Sequence, residues 1–171
     1  MAATRSERIQ LIQAMQEWLN RESRSDLLRF TLATMPTFRP ADFHRRYYEC
    51  LTKFATGDIK KLMVFMPPQH GKSEGSTRRL PAFLLGQDPE KRLAIVSYNA
   101  PKARKFNREI QRIIDTPEYH AIFPGTCLNA TNVTTIAGSW LRNKDECEIV
   151  GHRRGFKTVG VGGALTGEPV D

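Results

Sequence analysis

The first part of the chain carries apolar residues at helical spacing. Ile9, Ile12, Met15 and Leu19 recur at intervals of three or four positions, and charged residues occupy most of the positions between them. This pattern predicts an amphipathic helix over residues 5–22.

Two further helices are predicted next. Either Ser25 or Asp26 is placed to cap a helix that runs to Met35, where a proline follows. Pro40 suits the first position of a third helix, and Gly57 suits its end. The apolar face of that third helix is predicted to consist of Phe43, Tyr47, Cys50, Leu51 and Phe54.

Two short apolar runs indicate strands. Leu62–Met66 lacks alternation and is bounded by Lys60-Lys61 and Pro67-Pro68, and the second run is Arg92–Ser97. We predict that Leu62–Met66 and Ala94–Ser97 are buried parallel strands of one α/β layer.

Each predicted strand is followed by a predicted helix. The first covers Ser73–Leu85, and Pro81 is expected to kink it or cut it short. The second covers Pro101–Asp115 and has two faces. Phe106, Ile110 and Ile113 form its apolar face, and a stripe of Arg104, Arg108 and Arg112 lies almost opposite.

The arginine stripe has two interpretations. Because it follows the carboxyl end of a strand, where open α/β sheets place ligands, it is a candidate for contact with a nucleic-acid backbone. A plain solvated face is the alternative.

The chain after Phe123 changes to short strand-like pieces separated by turns. This pattern of short strands and turns predicts a small antiparallel β insertion. The predicted pieces are Val133–Ile136, Ser139–Leu141, Glu148–Val150 and Lys157–Val161, with turns at Asn143–Asp145 and Arg153–Gly155.

Composition narrows the function classes. Of the 171 residues, 40% are hydrophobic and 26% are charged, which is typical of a globular protein, and no apolar run approaches the roughly 20 residues of a membrane helix. The formal net charge of +8 points to a polyanionic partner, although a basic surface also serves solubility. Neither the cysteines nor the histidines have metal-ligand spacing, and the thiols suggest a reduced, intracellular protein. These residues are Cys50, Cys127, Cys147, His44, His70, His120 and His152.

The segment between the first predicted strand and its helix has the layout of a phosphate-binding loop. Gly71-Lys72-Ser73 directs backbone N–H groups and a helix N-terminus toward an anion. Lys72 would reach the β- and γ-phosphates and the Ser73 hydroxyl would bind Mg²⁺. Met66 stands where the pattern G-x-x-x-x-G-K-[ST] has its first glycine.

An ATPase of this kind also needs an apolar strand that ends in a carboxylate. Neither residues 62–66 nor residues 93–96 are followed by an acidic residue, and the candidates for the missing carboxylates are Glu74 and Glu168. We therefore expect the 171-residue chain to hold a triphosphate weakly and not to hydrolyse ATP by itself.

Four segments in this order carry a resemblance to a known family. Pro67–Glu74, Ser97-Tyr98, Tyr119–Pro124 and Gly160–Gly167 together resemble the amino-terminal ATPase region of the large terminase subunit of tailed bacteriophages and prophages. The similarity extends from about Arg39 onward. It implies an α/β fold with an incomplete P-loop NTPase core of the ASCE type, divided into a helical segment (1–57) and a partial ATPase domain (58–171).

The resemblance also implies an activity and its partners. Members of the family are ATP-driven motors that push double-stranded DNA into a procapsid, and their separate carboxyl-terminal nuclease domain cuts the DNA with two metal ions. The implied cofactors are ATP and Mg²⁺. The implied partners are double-stranded DNA, the small terminase subunit, the portal and further copies of the chain in a ring, in the cytoplasm of the bacterial host and without a membrane.

Residue by residue, the resemblance assigns Lys72 to catalysis and Ser73 to Mg²⁺. Ser97-Tyr98 falls where related helicase-like motors couple nucleotide to DNA. Gln69 stands where many relatives have an arginine, and Glu168 lies where relatives often have Arg-Gly. The implied ATP-binding set is Pro68, Gln69, His70, Gly71, Lys72, Ser73 and Glu74.

Two other function classes fit parts of the sequence. A small-molecule P-loop kinase would suit the length, but such kinases usually have a glycine-rich loop and converging arginines. A non-catalytic prophage remnant that binds DNA or a protein partner would need only the basic surface.

Overall fold

The computed structural model describes residues 4–134, 138–163, 165 and 169–171. It begins with three helices: α1 (Arg5–Ser23), α2 (Leu27–Thr34) and α3 (Asp42–Ala55). The predicted cap of α2 is confirmed, because Asp26 Oδ1 accepts a hydrogen bond from the Arg29 N–H at 2.7 Å. Gly57, at φ 85°, lies directly beyond α3, as predicted.

The buried faces of these helices differ from the apolar patterns. The apolar residues of α1 remain largely exposed, although the helix itself is confirmed. On α3, Phe43 and Cys50 are exposed, whereas Tyr47, Tyr48 and Leu51 are buried. The predicted apolar face of α3 is therefore wrong at two positions, because α3 turns Tyr47, Tyr48 and Leu51 toward the core instead.

The helix after the candidate phosphate loop is wound in two ways. Residues Glu74–Arg79 form a π-helical segment that continues without a break into α4 (Leu80–Gln87). Pro81 has no N–H to donate to the preceding turn, and the wider winding before it accommodates this loss. The Leu80 N–H accordingly reaches the oxygen of Gly75, five residues earlier. Pro81 thus neither cuts the helix short nor ends it.

A three-stranded mixed sheet lies beside these helices. It consists of β1 (Arg92–Ser97), β2 (Glu146–Glu148) and β3 (Gly155–Gly160), in the order β1-β3-β2. β1 and β3 are parallel, and β2 and β3 are antiparallel. The predicted antiparallel insertion is therefore joined to the main sheet through β3.

The predicted strand at residues 62–66 is absent from this sheet. The segment is extended, but no described segment forms a strand ladder with it. Its side chains alternate: Leu62, Val64 and Met66 pack against the core, while Met63 and Phe65 are 79% and 84% exposed. The prediction of a buried parallel strand is wrong here, since a strand requires a hydrogen-bonded neighbour as well as an apolar sequence.

Two more helices, α5 (Ala100–Ile114) and α6 (Pro117–Ile122), complete the core. The predicted apolar face of α5 is confirmed, because Phe106, Ile110 and Ile113 are all buried. The buried Asn107 also ties α5 to the sheet by donating to Thr158 Oγ1 at 3.3 Å. The arginine stripe consequently points away from the core.

The other predicted β pieces are only partly formed. Val133 pairs with Arg142 in a single bridge, residues 135–136 lie outside the described residues, and 139–141 are not a strand. β2 lies two residues before the predicted piece at 148–150. The turn at Asn143–Asp145 is confirmed, since Asn143 Oδ1 accepts from the N–H groups of Asp145 and Glu146.

The architecture is thus a mixed α/β arrangement in which helices pack with one small sheet. Within the described residues, no helix combines the length and the apolar character needed to cross a membrane.

Candidate phosphate-binding site

The loop that enters the π-helical segment has an unusual backbone. Gln69 has φ 63° and Gly71 has φ 77°, so two residues of one tight turn adopt the left-handed region. A glycine adopts this conformation without the steric cost that a Cβ imposes. The turn brings the chain directly to Lys72 and Ser73 at the start of the helix.

Helix α3 holds this loop from behind through two side chains. His44 Nδ1 accepts a hydrogen bond from the Ala41 N–H at 3.0 Å, so its Nε2 carries the proton and donates to the oxygen of His70 at 3.2 Å. The Tyr47 hydroxyl donates to the oxygen of Lys72 at 2.6 Å. Sequence reasoning placed Tyr47 in the core and gave His44 no role. The available signal was their spacing, because positions three apart share one face of a helix.

Gly75 permits the close approach between the loop helix and α3. A Cβ at this position would lie 2.7 Å from Tyr47 Cε1 and 3.1 Å from Leu51 Cδ1. The glycine therefore lets Tyr47 reach the oxygen of Lys72.

A cavity of about 440 Å³ opens in front of the loop. Lys72 and Ser73 line it, and neither side chain makes a hydrogen bond or ion pair with another described residue. An uncommitted ammonium group, a hydroxyl and a helix N-terminus facing one cavity are the donor set that a polyphosphate requires. The cavity is lined by Met66, Pro67, Pro68, Gln69, Gly71, Lys72, Ser73, Glu74 and Arg78.

Glu74 lies at this cavity but is already bound by two arginines. Its Oε2 accepts from Arg78 Nη1 at 2.6 Å, and its Oε1 accepts from Arg79 Nε at 2.7 Å. Burial disfavours the charged form of Glu74, but the hydrogen bonds from Arg79 and Arg78 outweigh it and hold the pKa of this carboxyl below its usual value. Glu74 is thus an ionised structural anchor of the helix that follows the loop.

His70 contributes to the shape of the loop. Its Nδ1 lies 2.7 Å from the oxygen of Pro68, and its ring lies 5.8 Å from that of Phe43, centroid to centroid. His70 is outside the set of residues that line the cavity.

Ser97 and Tyr98, at the end of β1, are also outside that set. The Tyr98 side chain is exposed. The structure therefore does not bring this pair together with the phosphate loop.

The arginine stripe of α5 is not uniform. Arg104 Nε donates to Asp145 Oδ1 at 2.6 Å, so this arginine is already paired. Arg108 and Arg112 are exposed and make no ion pair with a described residue. Both line a groove of about 760 Å³ that Lys144 also lines, together with the carboxylates of Asp115, Asp145 and Glu146. Two of the three predicted contacts are therefore available to an anionic partner.

Among the residues that the structure describes, no three His, Cys, Asp or Glu side chains are arranged to hold a metal ion. Comparison of the chain with protein-family models, with curated proteins and with solved structures found no match.

Proposed function

We propose that this chain binds ATP through the loop formed by Pro68–Glu74. The observation that carries the proposal is that Lys72 and Ser73 line one cavity at one helix start, and that neither side chain is bonded to another described residue. Lys72 would neutralise phosphate charge, and the backbone N–H groups after Gly71 would bind phosphate oxygens. A P-loop NTPase core is the finer fold that this site favours.

The donor set also fits a magnesium ion that arrives with the nucleotide. Ser73 Oγ would occupy one coordination position, and phosphate oxygens and water would supply the others, as Mg²⁺ prefers. The ion would supply positive charge that offsets the charge of the phosphates. The chain's own contribution is to position the phosphates with Lys72 and to hold the loop rigid through Tyr47 and His44.

We further propose that the ATP site belongs to a DNA-packaging motor of the large terminase type. The support is the ordered set of segments from Pro67 to Gly167 and the groove beside α5 that Arg108, Arg112 and Lys144 line. In that role ATP turnover would drive double-stranded DNA into a procapsid in the bacterial cytoplasm. The partners would be the portal, the small terminase subunit and further copies of the chain in a ring.

Arg108 and Arg112 would supply the DNA contact. Together with Lys144 they line the groove, and neither makes an ion pair with a described residue. Such cations bind phosphates without reading sequence, which suits a motor that must move any DNA. Arg104 would serve the groove indirectly, by fixing Asp145.

The test of the proposed function is titration of MgATP into the wild type and Lys72→Ala. We expect saturable binding by the wild type and its loss in the variant, because Lys72 is the cation at the helix start. Lys61→Ala is the matched control, since it removes the same charge from an exposed lysine outside the cavity. Equal binding by Lys72→Ala and the wild type would contradict the proposal.

A further inference from the structure

A second cation lies at the phosphate cavity, on the helix that follows the loop. Side chains of a helix tilt toward its N-terminus, and the Arg78 side chain accordingly lines the same cavity as Lys72 and Ser73. Sequence reasoning gave Arg78 no role, because it lies outside the loop motif.

Arg78 is held between two carboxylates of different elements. Its Nη1 donates to Glu74 Oε2 at 2.6 Å, and its Nε donates to Glu109 Oε2 at 2.6 Å. The side chains of Arg78, Glu74 and Glu109 are 24%, 16% and 21% exposed, so the network is mostly shielded from water. Glu109 lies on α5, so Arg78 connects the phosphate cavity to that helix.

The guanidinium has donors to spare. Of its five N–H groups, one on Nε and one on Nη1 are used, and the others bond to no described residue. Guanidinium N–H groups suit phosphate oxygens, which they bind in pairs. Arg78 therefore has N–H groups left that can donate to a polyphosphate in the cavity.

The two carboxylates are not equally dependent on Arg78. Glu74 is also bound by Arg79 at 2.7 Å, so it keeps a partner if Arg78 moves. Among the described residues, Glu109 has in addition only Lys105, at 4.0 Å. The contact between Arg78 and Glu109 is consequently the one that a competing anion would replace.

We propose that Arg78 binds the polyphosphate beside Lys72 and leaves Glu109 when it does so, which transmits occupancy of the cavity to α5. The inference rests on the proposed function, since it requires a triphosphate at the loop. It adds a binding residue outside the loop and a route from the nucleotide site to the helix that carries Arg108 and Arg112.

The experiment is a titration of MgATP and of inorganic triphosphate into the wild type, Arg78→Ala, Glu109→Gln and the double variant. Arg78→Ala should weaken binding about tenfold through loss of the charged contact. Glu109→Gln should tighten it severalfold, because the competing carboxylate is gone. The double variant should bind triphosphate with the same affinity as Arg78→Ala, because Glu109 competes with the ligand only through Arg78. If Glu109 had a purely structural role, its replacement would change the affinity in both backgrounds.

Glu49→Gln is the matched control for net charge. It removes one carboxylate from the exposed face of α3, where Glu49 pairs with Lys53. This variant should bind triphosphate as the wild type does. Tightening equal to that of Glu109→Gln would overturn the proposal, because the effect would then be general electrostatics.

Hydrogen exchange of α5 supplies the second readout. Triphosphate should change the exchange of amides around Glu109 in the wild type and leave it unchanged in Glu109→Gln, a variant expected to fold because it keeps the side-chain shape. Loss of binding in Lys72→Ala together with wild-type affinity in Arg78→Ala and Glu109→Gln would overturn this inference alone. No binding by the wild type would overturn the proposed function and the inference with it.

Discussion

The hydroxyl of Tyr47 donates a hydrogen bond to the main-chain oxygen of Lys72 across 2.6 Å. This contact links a helix that precedes the loop by many residues to the peptide group of the lysine that faces the cavity. Tyr47 is outside the set of residues that line the cavity, so we expect it to affect phosphate binding only through the position of Lys72.

Tyr47→Phe should lower the free energy of unfolding by about 1 kcal/mol, which is typical for one lost hydrogen bond. It should also weaken MgATP binding a fewfold. Urea denaturation and calorimetric titration measure the two effects. Tyr48→Phe is the control, because it removes the neighbouring hydroxyl of α3, and Tyr48 is buried and does not line the cavity. An equal loss of ATP affinity in both variants would contradict a specific role for Tyr47.

Gly86→Ala should destabilise the protein despite the higher helix propensity of alanine. A Cβ at this position of α4 would lie 2.3 Å from Phe123 Cδ2, and the Phe123 ring is buried among other aromatic rings. Overpacking of this kind costs about 1–3 kcal/mol, more than the roughly 1 kcal/mol that propensity contributes. Gly125→Ala is the control, since a Cβ there meets no atom within 4 Å. A thermal unfolding midpoint of Gly86→Ala at or above that of the wild type would show that the contact relaxes freely.

The carboxyl of Glu74 predicts a loss of stability in acid. Its pKa is lowered in the folded protein, so its contribution is present above the ordinary glutamate pKa of about 4.3 and disappears as the pH falls through the lower folded value. Glu74→Gln should lower the free energy of unfolding by on the order of 2 kcal/mol at neutral pH. Its difference from the wild type should shrink in acid. Denaturation curves at several pH values check this, and a difference that stays constant with pH would contradict it.

The cations that line the groove beside α5 predict how DNA binding should depend on salt. Replacing Arg108 and Arg112 together by alanine should reduce the slope of log K against log salt by up to about 2 units, nearly one per phosphate contact. Arg104→Ala should change the slope much less, because Arg104 is paired with Asp145. Filter binding or fluorescence anisotropy with duplex DNA measures the slopes. An unchanged slope in the double variant would identify the stripe as a solvated face.

Local signals predicted the helices well. The cap at Asp26, the end at Gly57 and the apolar face of α5 are encoded within a few residues of where they act. The loop at Gly71-Lys72-Ser73 belongs to the same class, because a glycine at positive φ followed by a helix start is a property of adjacent residues.

Contacts between distant residues were not predictable in this way. The pairing of Arg104 with Asp145 joins positions 41 apart, and that of Arg78 with Glu109 joins positions 31 apart. The segment Leu62–Met66 shows the same restriction, since its apolar composition fits a strand whether or not a neighbour exists to pair with it. The π-helical winding before Pro81 was also missed, because proline indicates a disturbed helix without specifying how the helix adapts.

The extended segment at residues 62–66 has a consequence for aggregation. An apolar stretch with exposed Met63 and Phe65, which pairs with no described strand, is a template onto which a strand of another molecule can add. Lys60-Lys61 precede it and Pro67-Pro68 follow it, and charged residues and prolines are the residues that oppose strand addition. We expect these flanking pairs to oppose strand addition, and replacing all four residues together by apolar residues should make the protein precipitate at concentrations that the wild type tolerates.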